Sequence, residues 1–230
     1  MPSGGDGSRS TAVGLEILDS DPNVEEAGVD PGYEISEQLV RAPGIGVGNV
    51  PNRRGWISGV PRLAVEYSSV GQDEEKLEDK IQDFLSAGTE WVWVVRLLGP
   101  RRVEVYDKNG WRAFTPGQVI TAPGVLKNPV PVEAFFDRDT AHEVTLANLL
   151  QRRGYENLGA VLEEGREEGQ REGQRAALRE AVTRVLRARG LEVTETQRAK
   201  LLAESEVARL ERWLEASAVS SSAEQALSEE

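Results

Sequence analysis

The chain has 230 residues, with 27 Lys and Arg against 39 Asp and Glu, which gives a formal net charge of −12. This charge repels nucleic acid over long range, so it argues against a basic DNA-binding protein and leaves any DNA contact to a local cationic patch or to metal ions. The chain has no cysteine, which excludes disulfides, thiolate zinc sites and cysteine nucleophiles. It shows neither the basic, apolar start of a secretory signal nor the ~18 apolar residues of a membrane span, which predicts a cytoplasmic protein with no membrane contact.

The first part of the chain, residues 1–32, is rich in Gly, Ser, Asp and Pro. This composition predicts a mostly flexible segment, in which Leu15, Ile17 and Leu18 form at most one short edge strand. Order is expected to begin near Tyr33 and to continue through the glycine-punctuated extended stretch Ala42–Val50.

Residues 33–139 show the pattern of an α/β domain. Val60–Tyr67 is short and apolar, as is typical of a central strand covered on both faces. Asp73–Ala87 has the one-sided apolar spacing of an amphipathic helix, and Glu90–Leu98 is a second buried strand. Arg101–Tyr106 is its expected hairpin partner. The order of these elements predicts a mixed sheet with a packed helix.

Residues 140–218 are rich in helix formers and predict a helical tail. Glu163–Arg175 repeats every four residues, and Ala177–Leu186 and Ala199–Leu214 are two further amphipathic helices separated by Gly190. The arginines of the tail alternate with glutamates, a pattern that favours self-association over DNA binding. The tail is therefore predicted to form a homo-oligomer, and residues 219–230 are predicted to be disordered.

One acidic residue stands out. Glu66 ends an apolar strand, where an unpaired carboxylate costs several kcal/mol, so it requires a metal ion or a basic partner. Lys80 lies at the edge of the apolar face of the following helix and can extend its ammonium group to the end of the strand. A purely structural carboxylate, paired with Arg62, Lys80 or Arg96, is the alternative.

Five motifs in order resemble the Uma-two group of restriction endonucleases, within the superfamily named for its PD-(D/E)XK motif. The resemblance covers roughly Val40–Phe136, and the motifs are VRAPG (Val40–Gly44), PRLAVEYSS (Pro61–Ser69), DKIQDFLSAG (Asp79–Gly88), WVWVV (Trp91–Val95) and RVEVY (Arg102–Tyr106). The closing PGVLKNPVPVEAFF is similar to the terminal segment of the family. The resemblance implies a restriction-endonuclease-like mixed sheet flanked by helices.

The resemblance also implies a Mg²⁺- or Mn²⁺-dependent DNA endonuclease, in which Glu66 binds the metal and Lys80 orients water or steadies the phosphate. The chain departs from the family at Gly44, where the family has a metal-binding aspartate, and at Ser68, the usual lysine position two residues after the glutamate. The second PD is Pro61-Arg62 here. Candidates to replace the missing acid are Glu34, Glu37 and Asp79.

Other candidate sites are weaker. The glycines of Gly44–Gly48 lack the spacing of a phosphate loop, His142 has no second metal ligand at helical spacing, and Trp91 and Trp93 are typical of a core. Two alternatives to an active nuclease stay open. One is a catalytically inactive DNA- or protein-binding module with the nuclease fold. The other is a helical assembly element that carries the α/β domain as cargo.

Overall fold

The computed structural model describes residues 5–69 and 73–228. The chain forms two compact units, Met1–Leu158 and Gly159–Glu230. No helix within the described ranges has the length and apolar character that crossing a membrane requires. The elements of the first unit are α1 (Gly5–Asp19), β1 (Ala27–Val29), β2 (Tyr33–Ser36), β3 (Leu39–Arg41), β4 (Ile45–Val47), β5 (Ile57–Ser58), β6 (Leu63–Ser68), α2 (Glu74–Ser86), β7 (Trp91–Arg96), β8 (Arg102–Asp107), β9 (Gly110–Phe114), β10 (Val119–Ile120), β11 (Val130–Pro131) and α3 (Arg138–Arg152).

The first unit is built on a six-stranded mixed sheet in the order β1-β4-β6-β7-β8-β9. β6 and β7 are parallel, and the other neighbouring pairs are antiparallel. β6 and β7 can be parallel because α2 connects them: the helix carries the chain back to the end of the sheet at which β6 began, and β7 starts there. The mixed α/β sheet predicted from the sequence is confirmed, with β6 and β7 as its buried central strands.

One face of the sheet is covered by α2. The Asp73 side chain caps the helix by accepting a hydrogen bond from the Lys76 backbone N–H. This N–H group has no partner within the helix and would otherwise be unpaired. Leu77, Ile81 and Phe84 are buried on one side of the helix. They pack with Val92, Val94 and other residues of the strands, so α2 is fixed on the sheet directly above β6 and β7.

The other face is covered by α1 and α3, which corrects the prediction of a flexible segment for residues 5–32; residues 1–4 of that segment lie outside the described residues. Ile17 and Leu18 are fully buried in the main core, and β1 then adds an edge strand to the sheet. Arg152 of α3 fastens the end of α1 by donating to the backbone carbonyls of Asp19, Ser20, Asp21 and Val24. The N-terminal part of the chain is therefore an integral layer of the unit.

Two small sheets complete the first unit. β2 pairs with β3 and with β5, and β10 pairs with β11. A 3-10 turn, Val132–Phe135, follows β11 and leads into α3.

The second unit is helical, as the composition of the tail predicts. Its elements are α4 (Leu158–Ala188), α5 (Glu195–Ala203), α6 (Val207–Val219) and α7 (Ala223–Ala226). Its core is formed by apolar residues of all four helices, among them Leu186, Leu201 and Trp213. The predicted helix Ala199–Leu214 is interrupted after Ala203, and the predicted disordered end contains the buried Ala226 and Leu227. The predicted start of the tail at residue 140 falls inside α3, which belongs to the first unit.

Candidate active site

Glu66 lies in the fourth position of β6, opposite Val94 of β7. Alternate residues of a strand face opposite sides of the sheet. Val65 therefore packs in the main core, while Ala64 and Glu66 face the layer of α2. Only 7% of Glu66 is exposed. The strand thus places a carboxylate under the helix, where water cannot solvate it fully.

Lys80 meets this carboxylate from above. Its Nζ lies 2.6 Å from Oε1 of Glu66, so the ammonium group and the carboxylate form a close ion pair. Lys80 precedes the buried Ile81 and follows Leu77 by three positions, so its stem runs along the apolar face of α2 while its ammonium group reaches the strand. The structure brings together the two residues that the sequence singles out, and their chemical roles stay predictions.

The environment raises the pKa of the Glu66 carboxyl above its ordinary value of 4.5. Burial is the largest cause, because it disfavours the charged form. The Lys80 ammonium lowers the pKa, the nearby charge of Asp30 raises it, and the backbone N–H of Gly44 lowers it. The net effect is a raised pKa, because burial outweighs the stabilisation of the charged form by Lys80 and Gly44.

Position 44 stands next to Glu66 across the strand pair. β4 and β6 pair with Ile45 opposite Val65, so the preceding residue, Gly44, comes beside Glu66. A Cβ atom at Gly44 would lie 3.1 Å from the Val65 carbonyl oxygen and 3.5 Å from the Tyr67 ring. The backbone here is packed for glycine, and no carboxylate projects from this position.

The three acids expected as substitutes occupy other places. Glu34 is an exposed residue of β2, where it pairs with Val40 and Ser58. Glu37 is exposed in the turn after β2, and Asp79 is exposed on α2. The acid whose charge acts on Glu66 is Asp30, which sequence reasoning missed because it lies in the segment expected to be flexible.

A second charged cluster, also missed from the sequence, lies farther along the same face of the sheet. Arg96 donates from Nε to Glu104 at 2.9 Å and from Nη1 to Ser68 at 3.1 Å, and it also binds Glu74 of α2 at 2.7 Å. Arg102 reaches Glu104 as well. Ser68, at the usual lysine position of the superfamily, thus receives a guanidinium bond. The positive charge of Arg96 is neutralised by Glu74 and Glu104. Because Glu74 belongs to α2 and Glu104 to β8, these ion pairs connect the first turn of α2 to β7 and β8.

The residues at Glu66 partly fit a divalent metal ion. Mg²⁺ binds oxygen ligands, and one or two carboxylates with water are sufficient to hold it. Glu66 supplies a buried carboxylate, but its Oε1 is already paired with the Lys80 ammonium at 2.6 Å. No group of three or more His, Asp or Glu side chains is arranged for a metal in residues 5–69 and 73–228. The donor set therefore suits a weakly held, largely hydrated ion.

The weaker candidates are placed as ordinary structural residues. Trp93 is fully buried against Phe135, with ring centroids 6.0 Å apart. His142 is half-exposed on α3 and lies 4.0 Å from Glu16. Gly44–Gly48 contains β4, which agrees with the interpretation as a strand and turn.

Neither family models nor curated proteins give a match to this chain. Among solved structures, the chain is similar to the crystal structure of a candidate nuclease belonging to DUF820 from Anabaena variabilis ATCC 29413. The TM-score is 0.51 at 18% sequence identity, and the match covers 61% of this chain and 84% of that chain. At this identity the similarity shows a common fold, which is the mixed α/β architecture described above.

Proposed function

We propose that the protein is a divalent-metal-dependent DNA endonuclease of the Uma-two kind that acts in the cytoplasm, with Glu66 and Lys80 as its site. The observation that carries the proposal is the Lys80–Glu66 pair, in which Nζ lies 2.6 Å from Oε1 of a buried carboxylate on the central strand β6. Support for the reaction class comes from the fold shared with a protein described as a candidate nuclease.

The two residues have different tasks in the proposed reaction. Glu66 is the residue of this site that would hold the metal, and the metal supplies a polarised, activated water for phosphodiester hydrolysis when it is bound. Lys80 lies beside the carboxylate, so its ammonium group would act on the same phosphate as the metal. Its side chain is 24% exposed, and an ammonium group that contacts a phosphate oxygen would stabilise the negative charge that develops in the transition state.

Replacing Glu66 with glutamine tests this proposal. Because burial already favours the neutral carboxyl, the isosteric amide is expected to preserve the fold while removing the metal ligand. Cleavage of plasmid and single-stranded DNA in Mg²⁺ or Mn²⁺ is expected to fall at least about 100-fold. Glu143→Gln, an exposed acid of α3, is the matched control. Unchanged cleavage by Glu66→Gln would exclude Glu66 from the reaction.

A second candidate is an inactive module that keeps the fold and binds DNA or protein. The absence of a side chain at Gly44, where backbone packing leaves little room for one, favours this candidate. Its prediction is no cleavage by the wild-type protein in either metal, together with retained binding of DNA or of a protein partner. Cleavage that requires Glu66 would rule it out.

Self-association through the second unit is part of both candidates. The core of that unit includes residues from α4 to α7, whereas Gly165, Gly169 and Gly173 of α4 have no heavy atom near the place of a Cβ. A chain that ends at residue 158 is expected to sediment as a monomer, and the full chain as an oligomer. Equal association states for both chains would remove the assembly role of the tail.

A further inference from the structure

The middle of α4 is a helix whose residues all face solvent. Residues 163–174 are exposed throughout, and their sequence, EEGREEGQREGQ, contains no apolar side chain. Within the described part of the chain, their side chains bond only to one another and to Arg175 and Arg179 of the same helix. Tertiary packing supplies most of the stability of helices in proteins, and this segment has little of it.

Three residues of the segment are glycines, and the space around each is open. At Gly165, Gly169 and Gly173 an added Cβ atom would have no heavy atom of another element of the described chain within 4 Å. Close approach of a neighbour therefore does not require glycine here. Relative to alanine, each glycine disfavours the helical state by about fivefold, and three together disfavour it by about 100-fold.

Ion pairs oppose this effect but are too few to cancel it. Three Glu–Arg pairs, three or four positions apart, join residues of the segment to one another and to Arg175. Each such pair on a helix surface favours the helical state by about twofold, and three favour it by about eightfold. The effect of the glycines is about an order of magnitude larger, so the balance favours opening of the segment.

The second half of the same helix is held in a different way. Val182 and Leu186 are fully buried, and they belong to one core with Leu201, Leu210 and Trp213. Opening of this half would expose these apolar side chains to water, which is unfavourable. One continuous helix therefore contains a packed half and a segment that has no such support.

We infer that residues 163–174 are a tether that interconverts between helix and open chain while both units stay folded. Local opening of this kind occurs where a segment has few buried apolar contacts and many solvent-exposed backbone hydrogen bonds. The inference stands apart from the proposed function. If the helical unit assembles several copies of the chain, an open tether would let each α/β unit move within the assembly, which a rigid helix would prevent.

Limited digestion of the full-length protein with trypsin tests the inference. A protease cuts an opened chain, so the rate of cleavage follows the population of the open segment. The bonds after Arg166 and Arg171 are expected to be cut at least about tenfold faster than the bond after Arg184. Arg184 is the internal control, because it lies in the packed half of α4. Its side chain is 76% exposed, against 58% for Arg166 and 61% for Arg171, so side-chain exposure alone predicts the opposite order.

A triple variant tests the role of the glycines. Gly165→Ala combined with Gly169→Ala and Gly173→Ala is expected to slow cleavage within the segment by about tenfold or more, because alanine favours the helix. Gln170→Ala is the matched control in the same segment. Glutamine is already a good helix former, so this substitution is expected to change the same rates by about twofold or less.

Hydrogen exchange of backbone amides, followed by mass spectrometry, measures the opening without a protease. Residues 163–174 are expected to exchange at least about 100-fold faster than residues 178–188. Equal protection of the two stretches, which is the result expected when a second copy of the chain covers the segment, overturns the inference. Cleavage of the triple alanine variant at the rate of the wild type also overturns it.

Discussion

Lys80→Met is expected to lower the free energy of unfolding by about 3 kcal/mol at neutral pH. The substitution keeps most of the apolar stem but removes the ammonium group 2.6 Å from Glu66. It leaves a carboxylate that is only 7% exposed, and removal of one partner of a buried pair is costly because the other charge stays desolvated. Urea denaturation followed by tryptophan fluorescence measures the change.

Lys76→Met is the matched control on the same helix. The Lys76 side chain is 80% exposed and pairs with Asp73, so its loss is expected to cost less than about 1 kcal/mol. The double variant Glu66→Gln with Lys80→Met is expected to recover much of the stability lost in Lys80→Met, because no buried charge remains. If Lys80→Met were as mild as Lys76→Met, the Lys80–Glu66 pair would not neutralise the site.

The effect also has a defined dependence on pH. The pKa of Glu66 is raised in the folded protein above its ordinary 4.5. At a pH between the ordinary pKa and the raised pKa, the folded state therefore binds more protons than the unfolded state. The contribution of Glu66 to stability is therefore greatest at low pH, falls as the pH rises through this window, and is constant above it. In Lys80→Met the fall is expected to be larger, because the ammonium that lowers this pKa is gone.

A chain that begins at Tyr33 is expected to lose cooperative unfolding. Such a chain lacks α1 and β1, and it leaves uncovered the sheet face on which Ile17 and Leu18 are fully buried. It also leaves Arg152 without the carbonyl groups that it binds. The near-ultraviolet circular dichroism, which reports on the packing of Trp93 and other aromatic residues, is expected to collapse toward that of an unpacked chain.

Point variants in the full-length chain test whether the buried side chains of α1 contribute to the free energy of unfolding. Leu18→Ala is expected to cost about 3 kcal/mol, whereas Glu16→Ala, exposed on the same helix, is expected to cost less than about 0.5 kcal/mol. Cooperative unfolding of the shortened chain at the same midpoint as the full chain would contradict the structural role of residues 5–29.

The sequence predicts those parts of the fold in which local pattern and final environment agree. The apolar run of β6, the one-sided spacing of α2 and the Glu66–Lys80 contact are examples. α1 was missed because its glycines suggest disorder, yet Gly14 is required by tertiary packing. A Cβ there would lie 1.9 Å from the Tyr67 hydroxyl oxygen. A local pattern contains no information about a side chain that arrives from β6.

Asp30 was missed for a related reason. Its proximity to Glu66 depends on the pairing of β1 with β4 and of β4 with β6, and a three-residue strand carries too weak a pattern to predict its partner. The helical tail shows the opposite case. Its helix formers predicted the helices, while the buried Ala226 and Leu227 near the C-terminus depend on packing against other helices.

The bonds from Arg152 to the carbonyls of Asp19, Ser20 and Asp21 at the end of α1 join residues 131 to 133 positions apart. On a ribosome, α1 and β1 are made before the rest of the six-stranded sheet, and the arginine that binds the end of α1 is made after it. Contacts between distant residues form late, because closing a long loop costs entropy before the contact compensates it. In the nascent chain the end of α1 therefore lacks its bonds to Arg152 until α3 has emerged, and apolar surface that is exposed during such an interval favours aggregation.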